Sequence, residues 1–281
     1  MQYKKIITSG CSFSDTTTPF TWPKQLENYI KNINPTVKFD HRGLSSQGQE
    51  LIQKKAVHAI CEALSEGYNP DQICVFVMWS SNDRKSFYVD NPDFISELIN
   101  NWKLSTQSWK LQLADLKNNL TSPETIDTYS QTQYNQIQYN KEGGWLITSC
   151  YTVDHLQMIR DYFMMSKNAN SIAAIHMGLE NIIFLQNFCK LYGIRLYQQY
   201  FMNHTVNDFE SNKNHQNISY LYNQIDRSTF ILSDSSIHEY LINNPECFKE
   251  YPTDAHPNGL GHRRWLTEVM LPKLEEDNFF Q

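Results

Sequence analysis

The hydrophobic pattern divides the chain into short apolar segments of strand length and longer segments with helical spacing. Residues 73–79 form an uninterrupted apolar run, which predicts a strand buried on both faces. From Gln47 to about Leu64, apolar residues recur at helical spacing and predict a helix. The same criteria predict strands at 3–8, 36–40 and 194–201, and helices at 23–31, 172–191 and 259–271, the last two ended by Gly193 and Pro272.

Predicted strands and helices alternate along most of the chain. This order predicts an α/β protein, a three-layer α/β/α sandwich with a mostly parallel central sheet. Residues 102–150 interrupt the alternation because they are polar and rich in Gln, Asn, Thr and Tyr. We expect them to form an insertion or cap within a single domain that spans residues 1–281.

Composition narrows the classes of function. The 24 Lys and Arg are outnumbered by 30 Asp and Glu, and this net charge of -6 argues against nucleic-acid binding by phosphate neutralisation. The start of the chain has too short an apolar stretch for a signal peptide, and no run of about 18 apolar residues predicts a membrane span. The 6 cysteines are scattered and are interpreted as reduced thiols. We therefore expect a cytoplasmic protein that does not bind membranes.

The first candidate for chemistry is Ser12, in a short turn after the first predicted strand. In open α/β sheets, ligands bind beyond the carboxyl ends of the strands, so a serine there is well placed to react. Gly10 permits a tight turn before it. An alternative is that Ser12 and Ser14 only cap the segment that follows.

The second candidate lies near the end of the chain, where His256 is flanked by Pro257 and Asn258. These neighbours predict a loop, in which Asp254 could orient the imidazole as a general base. Capping of the next helix is again an alternative interpretation. His262, one turn into that helix, is interpreted as structural.

Two further loops follow predicted strands. Asn82 comes directly after the apolar run and offers a side-chain amide donor, as an oxyanion hole requires, although Asn also commonly ends strands in turns. Residues 42–48 follow the second predicted strand and could supply a backbone donor, or could serve only as a connection. The histidines show no metal-ligand spacing, so neither a metal nor another cofactor is expected.

Taken in order, these segments resemble the four blocks of the SGNH/GDSL hydrolase superfamily. The segment GCSFS at 10–14 is similar to block one, and block two falls within residues 41–49. The segment SSND at 80–83 is similar to block three, and DAHP at 254–257 is similar to block five. The sequence departs from the family at four positions. Cys11 stands where the family usually has Asp, and Ser80 stands where it has Gly. Ser46 aligns with the Gly of block two, although its neighbours Gly43 and Gly48 leave the register open. Asp254 precedes the histidine by two residues rather than three.

The resemblance implies a flavodoxin-like SGNH hydrolase fold and a set of residue roles. His256 would deprotonate Ser12, and Asp254 would orient His256. The oxyanion would be held by the backbone N–H of Ser12, the backbone N–H of Ser46 and the side chain of Asn82. The implied activity is that of a serine esterase forming an acyl-enzyme.

The substrate is expected to be an acyl ester, with acetyl as one option, of a small molecule or a carbohydrate. The carbohydrate option depends on aromatic residues in and after the insertion, which suit sugar rings but could instead hold the insertion on the domain: Trp102, Trp109, Tyr129, Tyr134, Tyr139, Trp145 and Tyr151. An acyltransferase with the same triad is an alternative. A binding protein without catalysis, built on the same scaffold, is another.

Overall fold

The computed structural model describes residues 2–45, 47–82, 84–89, 112–114, 144–148, 172–251 and 253–281. The strands are β1 Lys5–Gly10, β2 Lys38–His41, β3 Ile73–Trp79, β4 Lys85–Val89, β5 Gln112–Ala114, β6 Gly144–Thr148, β7 Arg195–Tyr200, β8 Phe248–Glu250 and β9 Asp254–Pro257. The α-helices are α1 Trp22–Ile33, α2 Gln49–Ser65, α3 Ile172–Tyr192, α4 Asn203–Asn212, α5 Ser219–Tyr222, α6 Ile237–Leu241, α7 Gly259–Trp265 and α8 Leu271–Glu276.

Four strands form a parallel sheet in the order β2-β1-β3-β7. Single parallel bridges from Gln198 to Phe230 and from Tyr200 to Ser236 extend the pairing past β7. After β1 the chain forms β2 on one side of it and then crosses over to form β3 on the other side. A reversal of this kind opens a crevice at the strand carboxyl ends, where ligands bind in open α/β sheets.

Helices pack on both faces of this sheet. Alternate residues of β3 point to opposite sides, so Phe76 joins the core beneath α1 and α7, whereas Val77 joins the core beneath α2 and α3. All seven residues of β3 are buried, which explains the uninterrupted apolar run in its sequence. The prediction of an α/β fold with a mostly parallel sheet is confirmed, and the layering is compatible with a three-layer sandwich.

A second sheet contains the described parts of the predicted insertion. Strands β5 and β6 pair antiparallel, and β6 also pairs antiparallel with β4. Most of 102–150 lies outside the described residues, as do all the aromatic residues proposed to bind sugars except Trp145. The interpretation of this segment as a cap stays a prediction, as does the single domain.

The end of the chain differs from the prediction of one helix stopped by Pro272. Helix α7 ends at Trp265, a π-helical turn covers Leu266–Met270, and α8 continues to Glu276. The backbone stays helical from Gly259 to Glu276, so Pro272 lies within a continuous helix. The π-helical turn directly before it is a local irregularity of the kind that accommodates a proline, and the proline therefore does not end the helix.

Helix α3 is long and apolar enough, by length and composition alone, to cross a membrane, although no uninterrupted apolar run was found in the sequence. Half of its most apolar window is buried inside the protein. Its buried residues belong to the core beneath α2 and α3, together with residues of β3 and β7. Core helices of soluble proteins can be as long and as apolar as a membrane span. Its composition is therefore explained by packing and is weak evidence for a membrane span.

Candidate active site

Ser12 opens a single 3-10 turn, Ser12–Ser14, that follows β1 and is called here the nucleophile turn. The backbone N–H of Ser14 donates to the Cys11 carbonyl at 2.8 Å, and the indole N–H of Trp22 donates to Ser14 Oγ at 3.1 Å. A Cβ at Gly10 would lie 2.3 Å from Ser14 Oγ, so the turn closes only over a glycine. The short side chain of Ser12 is thereby held, half-buried, beyond the carboxyl end of β1.

The structure brings Ser12, His256 and Asp254 together. Ser12 Oγ lies 2.9 Å from His256 Nε2, and His256 Nδ1 lies 2.6 Å from Asp254 Oδ1. The residues come from opposite ends of the chain, 244 positions apart, yet they form one line of hydrogen bonds. This is the geometry expected of a nucleophile, its general base and the group that orients the base.

Asp254 orients His256 despite the two-residue spacing. Its Oδ1 accepts from the backbone N–H of His256 at 2.9 Å as well as from the ring, in the manner of an Asx turn. Burial raises the pKa of Asp254, but the hydrogen bonds from His256 outweigh burial and leave this pKa below its ordinary value. The carboxylate is therefore ionised at neutral pH.

His256 lies in a strand, which corrects the prediction of a loop. Strand β9 pairs with β8, and Asn258 fixes its end because Nδ2 donates to the carbonyls of Glu246 and Phe248 at 2.7 and 2.8 Å. The Oδ1 of Asn258 accepts from Leu260 N and Gly261 N and so caps α7. His256 is thus carried by a strand that pairs with β8 and is held at its end by Asn258.

The ring of Phe13 packs against the imidazole of His256. The ring of Phe13 is 5.1 Å from that of His256 and 6.4 Å from that of His262. Burial lowers the pKa of His262 to about 3, and the residue is neutral at ordinary pH. The structural interpretation of His262 agrees with this position.

The loop after β2 packs against the nucleophile turn. Asp15 Oδ2 accepts from both the backbone N–H and the hydroxyl of Ser45, each at 3.0 Å. A Cβ at Gly43 would lie 2.1 Å from the Ser14 carbonyl oxygen, so only glycine allows this approach. Ser46, the predicted backbone donor, lies outside the described residues, and its assignment stays a prediction.

Asn82 is buried at the carboxyl end of β3, the strand that pairs with β1. Its Nδ2 donates to Asp208 Oδ2 at 3.2 Å, and its Oδ1 accepts from Gln49 Nε2 at 3.0 Å. Helix α3 approaches so closely that a Cβ at Gly178 would lie 2.5 Å from that oxygen. One amide hydrogen of Asn82 is used by Asp208, and an amide carries two.

Sequence reasoning missed the residues that hold Asn82. Asp208 lies on α4, a helix that no pattern predicted, and Gln49 begins α2 without a motif of its own. Gly178 lies within the predicted helix 172–191. A glycine lowers helix stability, so its presence inside a helix is a signal in the sequence that another group packs closely there.

A second line of Thr, His and acid lies in the core. Thr8 Oγ1 is 2.8 Å from His41 Nδ1, and His41 Nε2 is 2.9 Å from Glu27 Oε2. Thr8 is fully buried within β1, so no substrate can reach its hydroxyl. Both hydroxyls begin a line of hydrogen bonds through a histidine to an acid, but only that of the half-buried Ser12 can be reached by a substrate.

Among the described residues, no cluster of three or more His, Cys, Asp or Glu could hold a metal ion. Compared with models of protein families, with curated proteins and with solved structures, the chain has no significant match. These comparisons neither support nor oppose the SGNH/GDSL resemblance.

Proposed function

We propose that this protein is a serine hydrolase of the SGNH/GDSL type that cleaves an acyl ester through an acyl-enzyme. The observation that carries the proposal is the line of hydrogen bonds from Ser12 Oγ through His256 to Asp254, with distances of 2.9 and 2.6 Å. The order of the sheet, β2-β1-β3-β7, and the position of Ser12 beyond the end of β1 also favour it.

The reaction begins with proton transfer from Ser12 Oγ to His256 Nε2. The oxygen then attacks the ester carbonyl carbon and forms a tetrahedral intermediate with a negatively charged oxygen. The imidazolium is stabilised by Asp254, whose carboxylate is ionised at neutral pH. His256 next gives its proton to the leaving alcohol as the carbon–oxygen bond breaks. Water attacks the acyl-enzyme with His256 again as base, and the acid is released.

The oxyanion needs donors that are in place before the reaction. The proposal assigns this role to the backbone N–H of Ser12, the backbone N–H of Ser46 and the second amide hydrogen of Asn82. Asp208 and Gln49 hold the Asn82 amide from both ends, which reduces its freedom to rotate. Removal of one such donor typically lowers kcat about 10²–10³-fold.

Turnover of short p-nitrophenyl esters by the purified protein and two variants tests the proposal. Ser12→Ala and His256→Ala are expected to lose hydrolysis while keeping the far-ultraviolet circular dichroism of the wild type. The matched controls are Ser65→Ala and His215→Ala, which remove the same side chains far from the site and should hydrolyse like the wild type. Turnover at the wild-type rate by either site variant would contradict the proposal.

Product analysis separates hydrolysis from acyl transfer. With an added alcohol acceptor, a hydrolase still releases mainly the free acid, whereas an acyltransferase yields mainly the new ester. A protein that only binds its ligand yields neither. The acetyl group and the carbohydrate stay predictions, to be tested by comparing acetylated sugars with simple acetyl esters in the same assay.

A further inference from the structure

Arg84 follows Asn82 by two residues and lies between the loops of the candidate site. Its backbone N–H donates to the Ser81 carbonyl at 3.3 Å. Its own carbonyl oxygen faces Gly48, where a Cβ would come within 2.6 Å. The main chain of Arg84 is therefore packed against the loop after β2.

A series of aromatic ring contacts connects the guanidinium to the His256 imidazole. The Arg84 Cζ is 4.8 Å from the centre of the Phe201 ring, and Phe201 contacts Phe13 at 5.4 Å. Phe13 in turn contacts the His256 imidazole. Burial raises the pKa of the Cys11 thiol, beside Ser12, and the nearby positive charge of Arg84 partly opposes this rise.

Arg84 has hydrogen-bonding capacity that the described protein does not use. Its Nη1 atom is buried and has no hydrogen-bond partner, and no described carboxylate forms an ion pair with it. Arg84 as a whole is half-buried, like Ser12 and unlike the fully buried Thr8, so a ligand can reach its side chain. Ser80 Oγ and Thr205 Oγ1 are also fully buried and unpartnered, near the carboxyl ends of β3 and β7. Unsatisfied buried polar atoms are rare, and each calls for an explanation such as a functional role or an ordered water or ion.

We propose that Arg84 binds an anionic oxygen group of the substrate, a carboxylate or a phosphate, next to the ester that Ser12 attacks. This inference rests on the hydrolase function proposed above and adds a substrate class to it. A guanidinium suits the role because its planar donors match two oxygens of a carboxylate or phosphate, and contact with the Phe201 ring limits its movement.

Two p-nitrophenyl esters with the same six-carbon acyl chain test the inference by turnover. They are p-nitrophenyl hydrogen adipate, which carries a carboxylate, and p-nitrophenyl methyl adipate, which is neutral. The adipate chain is used because a shorter chain, such as succinate, lets the carboxylate attack its own ester without enzyme. The wild type is expected to show a higher kcat/KM for the anionic ester by roughly ten- to a hundredfold, as for a hydrogen bond to a charged group. Arg84→Gln should bring the ratio of the two kcat/KM values close to one, and Arg84→Lys should keep part of the preference.

Arg263→Gln is the matched control, because it removes one positive charge from an exposed position on α7 and should keep the wild-type ratio. A ratio that is unchanged in Arg84→Gln overturns the inference. Equal losses on both esters also overturn it, because Arg84 then stabilises the protein or the oxyanion instead of the substrate anion.

Binding measured by calorimetry separates failure of this inference from failure of the hydrolase proposal. With Ser12→Ala, p-nitrophenyl hydrogen adipate and 2-acetoxyethyl phosphate are titrated to distinguish carboxylate from phosphate. At least one should bind roughly tenfold or more weakly when Arg84→Gln is added. This result supports the inference even if the wild type hydrolyses neither ester, and equal binding to both variants overturns it.

Discussion

Gly178 lies on α3 beside the side-chain amide of Asn82, and substituting it tests how this proposed oxyanion donor is held. In Gly178→Ala the new Cβ would lie 2.5 Å from Asn82 Oδ1 and 2.8 Å from Gln49 Oε1. An ordinary contact is at least 3.4 Å, so the helix and the amide must separate by about 0.9 Å. A displacement of about 1 Å at a catalytic group can cost about a hundredfold in rate.

We expect Gly178→Ala to lower kcat for short esters about 10- to 100-fold, equivalent to ~1.4–2.7 kcal/mol in the activation barrier. The fold should survive, because overpacking costs about 1–3 kcal/mol and alanine recovers about 1 kcal/mol of helix propensity. Gly259→Ala is the control, since its Cβ would meet Phe20 at 3.3 Å, away from Asn82. Its kcat is expected to stay close to that of the wild type, because the new methyl group leaves the Asn82 amide in place.

A double-mutant cycle identifies the route of the effect. Asn82→Ala removes the amide against which the new Cβ presses, so adding Gly178→Ala to it should cost little further activity. The assay is steady-state hydrolysis of p-nitrophenyl acetate by all four proteins, with thermal melting as the check on folding. Wild-type turnover by Gly178→Ala would refute the reasoning, and so would an equal loss in the Asn82→Ala background.

Three other substitutions have outcomes that the structure predicts. Asp254→Asn should lower kcat about 10²–10⁴-fold with an intact fold, because the amide no longer favours the productive tautomer of His256; unchanged kcat would contradict the assigned role. Burial raises the pKa of Glu27, but hydrogen bonds from His41 and neighbouring lysines outweigh burial and lower it to about 2. The stabilising contribution of Glu27 is therefore present above pH 4.5 and lost as pH falls through about 2. Glu27→Gln should lower the free energy of unfolding in urea by on the order of 1–3 kcal/mol at pH 7. The difference in unfolding free energy between the wild type and the variant should narrow toward pH 2. Gly43→Ala should cost about 2 kcal/mol or more, because its Cβ would strike a backbone carbonyl of the nucleophile turn; a melting temperature equal to that of the wild type would exclude this packing.

Much of the central sheet could be predicted because its signals are local. Strand β3 was predicted at its observed limits, since a strand buried on both faces must be apolar throughout. The other predicted strands and the first three predicted helices have ends within two residues of those observed, because the pattern weakens at the ends. The last predicted helix, 259–271, differs more, since α7 ends at Trp265. The pattern predicts no helix or strand in residues 203–253. The helices and strands of this segment have ten residues or fewer, too few for a clear period.

In the candidate site, too, residues within local motifs could be predicted and contacts between distant segments could not. Ser12, Asn82, Asp254 and His256 could be named because each follows or belongs to a short motif at a strand end. The supporting contacts could not be predicted, because Asp208 meets Asn82 across 126 positions and only folding makes them neighbours.

The most direct test of the central claim is covalent labelling by a fluorophosphonate, because this reagent requires an activated serine and no knowledge of the substrate. Intact-mass analysis and peptide mapping should find one adduct per chain, on Ser12. Ser12→Ala should abolish the adduct and His256→Ala should slow its formation strongly, whereas Ser65→Ala should label like the wild type. An adduct on another serine, or no adduct on the folded wild-type protein, would contradict the account.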